Sequence, residues 1–228
     1  MIDVKWDLGG FSVFYSGKFP TFEEVEKNIA SLSGISNFSG LEGDWFLVEK
    51  KDKVLGFMLL NIPSSIEQLK SSLVDLSGLH EISIDDFIGL AEFAFYGTPS
   101  AYFCESTNQI FILDRNDIKY KVMIGADFHL LLNSQKKRCG FVMDNAIKNI
   151  VSENEYSDDI VFHDLLMQML GFCDSGKYKL MDDEDQACLQ QLIALEKQCV
   201  DMGNKDGRIF HILEFVRNAK YSFYDIEE

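Results

Sequence analysis

Histidine and paired cysteine are scarce in this chain of 228 residues. It has four histidines, none in an HxH or HExxH arrangement, and its five cysteines form no CxxC pair. Zinc sites take most of their ligands from such patterns, so we expect no metal and no cofactor. The odd number of cysteines argues against a disulfide framework and predicts reduced, mostly buried thiols. The five are Cys104, Cys139, Cys173, Cys188 and Cys199.

Long apolar runs are also missing. No stretch approaches the roughly 20 apolar residues that a membrane-spanning helix needs. The first ten residues, MIDVKWDLGG, lack the basic and then apolar order of a secretory signal peptide. The sequence therefore predicts a cytoplasmic protein without membrane contact.

Basic residues are few compared with acidic ones, 21 against 37, which gives a formal net charge of −16. The one dense basic run, at residues 136–138, is too short for a phosphate-binding patch, so we expect no nucleic-acid partner. The acidic excess is greatest after residue 143, where the chain has 18 acidic and 8 basic residues. A basic protein partner would suit this charge, because opposite charges speed encounter; solubility alone is the alternative interpretation.

Catalytic motifs are absent as well. The chain contains no GxSxG nucleophile turn and no glycine loop of the kind that cradles phosphate. Cys104 and His129 are the candidate pair for a thiol nucleophile and its base. Cys104 lies in a predicted strand beside aromatic residues, however, which favours a buried structural thiol. We therefore expect a protein that is not an enzyme.

Two polar groupings near the C-terminus have plain structural interpretations. His211 and Glu214 are three residues apart in a predicted helix, a spacing that suits an exposed ion pair. The segment 204–207 (NKDG) is similar to part of a calcium-binding loop. In that register the first and last ligands would be Met202 and Leu213, which have no side-chain oxygen, so the pattern excludes calcium.

Apolar residues are plentiful, at 46% of the chain with 19 phenylalanines, and they predict a substantial core. Alternation predicts a strand at residues 11–15, and apolar runs at 45–48 and 54–60 predict a hairpin. Helices are predicted over residues 22–32 and from Pro63 to about Leu76, each opened by capping-box spacing. A third is predicted over residues 87–95.

The middle of the chain has the pattern of a β-sheet. Runs at residues 101–104, 109–113 and 119–124, separated by turn residues, predict an antiparallel meander. A short helix is predicted at residues 127–132, and a last edge strand at residues 140–143.

From Asp144 onward the periodicity is helical. Cys188, Leu192, Leu195 and Cys199 fall on one face of a predicted helix, and Ile209, Ile212, Leu213 and Val216 on one face of the last. The expected fold is α+β, with an antiparallel or mixed sheet flanked by helices and an all-helical C-terminal part. We predict an α+β domain over residues 1–143 and a helical extension, residues 144–228, packed on it.

The densest acidic run is the candidate binding site. Its functional interpretation is a docking site for a basic partner, and its alternative is a solvated helix start whose charges complement the helix dipole. A shorter acidic pair upstream offers the same choice. The candidate residues are Asp182, Asp183, Glu184 and Asp185, together with Asp158 and Asp159.

Three segments between residues 55 and 134 carry a family resemblance. They are Pro63, Ile66 and Leu69 followed by Gly78; Tyr102 followed by Gln109–Asp114; and Ala126–Phe128 followed by Leu130–Leu132. Their order resembles the SUKH superfamily. Many bacterial members of that family are immunity proteins, which bind and neutralise a toxin delivered by a neighbouring cell. The resemblance thus implies a non-catalytic inhibitor.

The resulting hypothesis is a binding protein that neutralises a basic toxin by covering its active site. Acidic side chains would speed capture, and a few buried aromatic residues would slow release. One alternative is an acidic secretion chaperone or adaptor that binds an apolar segment of an effector. Another is an enzyme whose site is assembled from scattered residues.

Overall fold

Two β-sheets and four α-helices make up the described part of the chain. The computed structural model describes residues 2–15, 17, 24, 27, 44–49, 54–83, 98–152, 159–203 and 206–226. The sheets and helices together confirm the predicted α+β class. The helices predicted over residues 22–32 and 87–95 fall on stretches that lie outside the described residues, apart from residues 24 and 27, which are both helical.

The smaller sheet is formed by the N-terminal part of the chain. Its antiparallel strands have the order β1-β2-β4-β3. The pairing of β3 with β4 confirms the predicted hairpin, and β2 confirms the strand predicted at residues 11–15. The strands are β1 (Lys5–Asp7), β2 (Ser12–Tyr15), β3 (Trp45–Glu49) and β4 (Val54–Asn61).

The larger sheet has seven strands. They are β5 (Ile66–Leu69), β6 (His80–Ile82), β7 (Ser100–Cys104), β8 (Gln109–Leu113), β9 (Ile118–Met123), β10 (Phe128–Asn133) and β11 (Arg138–Met143). Their order is β5-β7-β8-β11-β10-β9-β6. The two edge strands pair in parallel with their neighbours and all other pairs are antiparallel, so the sheet is mixed.

The helix predicted from Pro63 to Leu76 is wrong. This stretch contains the edge strand β5, followed by an irregular segment with bends and a 3-10 turn at Leu76–Gly78. Tertiary partners decide the conformation here: the Ile66 amide donates to the carbonyl of Cys173 at 3.0 Å, and the Gln68 side chain donates to the carbonyl of Met167 at 3.0 Å. Such contacts override a capping pattern that is only local.

Residues 70–79 form a strap across the larger sheet. They join β5 to β6, which are close in sequence but form opposite edges of the sheet. Six strand spacings measure about 29 Å, and the connection between the two strands reaches at most about 38 Å, so the strap has little spare length. Val74, Leu76 and Leu79 of the strap pack on one face of the sheet, against a cluster that includes Phe111 and Val142.

The short helix predicted at residues 127–132 is also wrong, because this segment is strand β10. Every residue of β10 is buried. Leu130 belongs to the main core on one face of the sheet and Leu131 to the cluster under the strap on the other. A strand covered on both faces is mostly apolar, and a short apolar run does not distinguish a strand from a buried helix.

The predicted meander and edge strand need correction as well. β7 and β8 pair as expected, but β9 lies on the far side of β10 and does not pair with β8. The segment predicted as an edge, residues 140–143, belongs to β11, the central strand between β8 and β10. Local pattern identifies the strands but carries no information on which strands become neighbours.

The C-terminal part is helical, as predicted. The described helices are α1 (Asp159–Phe172), α2 (Ser175–Asp182), α3 (Gln186–Met202) and α4 (Arg208–Tyr224). The predicted apolar faces of α3 and α4 are buried or packed against the core, which confirms both stripes. None of these described helices has the length and apolar character that crossing a bilayer requires.

The main core joins both sheets to the helices. It includes Trp6 of β1, Phe103 of β7, Phe162 of α1, Leu192 of α3 and Ile212 of α4, all fully or almost fully buried. The rings of Trp6 and Phe103 lie 6.2 Å apart. Residues of both predicted parts thus contribute to one core, and their division into domains stays a prediction. All five cysteines are buried free thiols, as expected.

Candidate functional site

The acidic run lies in the turn between α2 and α3. Asp182 is the last residue of α2, Asp183 is its C-cap, and Glu184 has a positive φ of 56°. Asp185 is the N-cap of α3, and its carboxylate accepts from the Cys188 amide at 2.8 Å. Only Asp185 therefore has the helix-start role that the alternative interpretation assigned to the whole run.

The other three carboxylates point to solvent. Asp182, Asp183 and Glu184 are exposed, and none forms an ion pair with a residue that the structure describes. Two of them stand at the C-terminal end of α2, where the helix dipole is negative and acidic charge is unfavourable. Their position cannot be explained by stabilisation of the helix.

The end of α4 reaches the same turn. The Tyr224 hydroxyl donates to the carbonyl of Asp185 at 3.0 Å, and Asp225 follows as the exposed C-cap of α4. Burial raises the pKa of the Tyr224 hydroxyl to about 12, and the nearby Cys188 thiol and Asp185 carboxylate act in the same direction. We call Asp182, Asp183, Glu184 and Asp225 the acidic corner. It combines four carboxylates with the negative ends of two helices.

The second acidic pair does not belong to this corner as far as the structure describes it. Asp158 lies outside the described residues, and Asp159 is the first residue of α1. The sequence pointed to Asp182, Asp183 and Glu184 but missed Asp225, because nothing in the local pattern indicates that α4 ends beside the α2–α3 turn.

A second polar group, on the larger sheet, was missed by sequence reasoning. The Nε2 atom of His129 on β10 lies 3.2 Å from the Asp144 carboxylate, which also accepts from the Gln109 amide at 2.5 Å. His129 is only 8% exposed, and its Nδ1 atom has no hydrogen-bond partner among the residues that the structure describes. Asp144 follows β11 directly and Gln109 begins β8, so their proximity depends on strand pairing across 35 residues of sequence.

The hydrogen bond from His129 lowers the pKa of the Asp144 carboxyl below its usual value, with further help from Gln109. A carboxyl whose pKa is lowered in the folded state stabilises the protein at pH values above its pKa in the unfolded chain, about 3.9. This stabilisation is lost as the pH falls through the pKa of the folded state. We expect Asp144→Asn to be less stable than the parent protein at pH 7, with the difference shrinking below about pH 4.

Urea unfolding between neutral and strongly acidic pH measures this difference. A His129→Gln background serves as the control: it removes the main cause of the lowered pKa, so the effect of Asp144→Asn at pH 7 should become smaller. A difference that stays constant over the whole pH range would contradict the assigned role of the pair.

Cys104 and His129 do not come together as a nucleophile and base. They lie on β7 and β10, three strand spacings apart in the sheet order, or about 14 Å between backbones. Cys104 is fully buried, and its sulfur lies 3.5 Å from the Ser106 hydroxyl. The preferred interpretation as a buried structural thiol therefore agrees with the geometry.

The remaining sequence candidates also have structural roles. His211 and the exposed Glu214 form no ion pair in the described part of the chain, which corrects the prediction, and His211 lies instead beside Gly9. In the segment that is similar to a calcium loop, the Asp206 carboxylate accepts four hydrogen bonds of 2.6–3.1 Å from Arg208, three from the guanidinium and one from the backbone amide. Among the described residues, no cluster of His, Cys, Asp and Glu suits a metal ion.

No family model and no curated protein matches the chain. The SUKH resemblance and the inhibitor role that it implies therefore stay predictions.

Proposed function

We propose that this chain is a non-catalytic binding protein that captures a basic protein, in the manner of an immunity protein that covers the active site of a toxin. The acidic corner is the observation that supports the proposal most directly. Its exposed carboxylates lie at the negative ends of α2 and α4, where they oppose the stability of their own helices. Charges placed against stability are typical of sites retained for function.

Electrostatics gives this corner two effects on binding. The net charge of −16 attracts a basic protein from a distance, and the local carboxylates orient it as it arrives. Exposed charges mainly raise the association rate, and salt screens them over about 10 Å at 0.1 M. Capture should therefore be fast at low salt and weaker at high salt.

The first test replaces three carboxylates of the corner in one variant, Asp182→Asn, Asp183→Asn and Glu184→Gln. We expect partner retention to fall at least about tenfold at low salt, because the steering charge is lost. Thermal stability should stay equal or rise, because two charges that oppose the α2 dipole are removed. Affinity capture from the native cell extract with mass spectrometry identifies the partner, and titration at low and high salt measures its affinity.

The matched control changes the same net charge at exposed positions elsewhere, with Asp164→Asn, Asp201→Asn and Glu214→Gln. This control should retain the partner. Equal weakening by both variants would show that only total charge matters and would remove the acidic corner as the binding site. Capture of no partner by the parent protein would overturn the proposed function.

A secretion chaperone or adaptor is the second candidate. It is favoured by large apolar side chains exposed on the last two helices, namely Val200 at 55%, Phe210 at 56% and Tyr221 at 60%. A chaperone would bind an apolar effector segment, and its affinity would change little with salt. The salt titration above therefore distinguishes the two candidates.

A further inference from the structure

A pocket of about 250 Å³ lies between α1, α2 and α3. It is separate from the acidic corner, which is at the other end of α2. Its lining combines two side-chain amides, one ammonium group, one aromatic ring and one glycine. These residues are Gln168, Gly171, Phe172, Lys177 and Gln191.

Lys177 gives the pocket a positive charge that no acid in the described part of the chain neutralises. Its Nζ atom donates to the Gln191 side-chain oxygen at 2.7 Å and lies 5.8 Å from the centre of the Phe172 ring. Among the described residues it has no carboxylate partner. The nearest acid in sequence, Asp174, caps α2 by accepting from the Gly176 amide at 2.8 Å. An ammonium group paired only with a neutral amide is a ready partner for an anion.

Gly171 keeps one wall of the pocket open. It lies in α1 one residue before the helix ends, where glycine stabilises a helix less than alanine does. A β-carbon built at this position meets only the Gln68 side-chain nitrogen, at 3.8 Å, which is ordinary contact. The packing of the protein itself therefore does not require glycine here, whereas an added methyl group would enlarge a residue that lines the pocket.

We propose that this pocket binds a single carboxylate attached to a flat apolar group. The carboxylate pairs with Lys177 and the flat group lies against the small part of Phe172 that is exposed, 5% of its surface, while the amides of Gln168 and Gln191 supply further polar contacts. One cation suits a monoanion better than a phosphate, which usually takes several. The volume is just below the range of about 300–1,000 Å³ typical of drug-sized ligands, so the ligand is small.

Two sources offer this chemistry: a free aromatic acid, or the last residue of a peptide with its terminal carboxylate. The inference goes beyond the proposed function, because the acidic corner attracts cations whereas this pocket takes an anion. Loss of one site is therefore not expected to abolish the other.

Sodium benzoate is the probe, with benzamide as its neutral isostere. We expect benzoate to bind with a Kd on the order of millimolar and to shift the backbone amide signals of Gly171, Phe172 and Lys177 in NMR spectra. Benzamide should bind at least about tenfold more weakly, because it cannot pair with the ammonium group. Equal binding of the two, or shifts spread over other parts of the molecule, would overturn the proposal.

Three variants test the assignment of the site. Lys177→Met should weaken benzoate binding about tenfold or more while leaving benzamide unchanged. Gly171→Ala should weaken both ligands by narrowing the pocket, and its melting temperature should not fall, which separates occlusion from misfolding. Lys179→Met, an exposed position on the same helix outside the lining, is the matched control and should bind like the parent protein.

Short peptides ending in phenylalanine distinguish the two sources of carboxylate. If the ligand is a peptide terminus, the peptide with a free C-terminal carboxylate should bind more tightly than benzoate. The same peptide with a C-terminal amide should not bind. If the ligand is a free small acid, the peptide should not compete with benzoate. Benzoate affinity that is unchanged in both Lys177→Met and Gly171→Ala would refute the pocket as the site.

Discussion

Replacing Arg208 with methionine is expected to lower the free energy of unfolding by about 3–5 kcal/mol. The Arg208 side chain is fully buried at the start of α4, and its guanidinium donates to both carboxylate oxygens of Asp206. It also lies 4.1 Å from the centre of the Phe162 ring of α1 and donates to the carbonyl of Ile147. Methionine fills similar volume but leaves the Asp206 carboxylate buried without the guanidinium charge, with the backbone amide of residue 208 still donating to it at 3.0 Å.

The expected loss of unfolding free energy is large because the Asp206 carboxylate stays buried without the guanidinium charge. A double variant tests this explanation. Adding Asp206→Asn to Arg208→Met removes the unpaired charge and should recover a large share of the loss. Arg115→Met is the matched control, because Arg115 pairs with Asp117 at the surface and should cost at most about 1 kcal/mol. Urea unfolding measures all three, and a loss below about 1 kcal/mol for Arg208→Met would contradict the assigned role.

Gly140→Ala is expected to cost more than about 3 kcal/mol, or to prevent folding. Gly140 has a φ of 155°, which side chains rarely adopt, and it lies on β11 in the centre of the larger sheet. A β-carbon at this position would come within 1.9 Å of the carbonyl oxygen of Ile112 on β8. Because the obstructing atoms are backbone atoms of a central strand, relief requires the β8–β11 pairing to open.

The control for this substitution is Gly78→Ala in the strap. A β-carbon there meets only the Asp75 carboxylate at 3.6 Å, so the change should stay within about 0.5 kcal/mol. Thermal and urea unfolding measure both variants, and circular dichroism reports whether the sheet forms. If Gly140→Ala were as stable as Gly78→Ala, the position of β11 at the centre of the sheet would be wrong.

Helices α3 and α4 show what the sequence predicts well. Leu192 and Leu195 are buried and Ile193 between them is exposed, so one face is marked clearly by periodicity. The strands β7 and β8 were equally readable, because turn residues separate them and they pair as a hairpin. In these elements the local pattern and the tertiary environment agree.

The failures have a common physical cause. The segment containing Ile66 reads as a capped helix, but it gains its partners from Cys173 and from strand β7, which lie far along the chain. The run containing Leu130 and Leu131 is apolar on both faces because the sheet is covered on both sides. Neither circumstance is visible within a window of ten or fifteen residues.

The candidate sites also contain residues that the sequence pattern reveals and residues that only packing brings together. Asp182 and Asp183 were visible as a run, whereas Asp225 joins them only through the packing of α4. The pocket that contains Lys177 has no motif, because its lining comes from three helices and consists of common residue types. Sites made by packing become predictable only once the neighbours are known.

The strap has a consequence for the order in which the molecule folds. Val74 and Leu76 cannot be buried until Phe111 and Val142 stand side by side, and these residues come from strands joined across about 30 residues of sequence. Long connections of this kind close slowly, because chain entropy is lost before contacts are gained. We therefore expect the strap to become ordered late, after the central strands, and β5 and β6 to complete the two edges of the sheet in the same step.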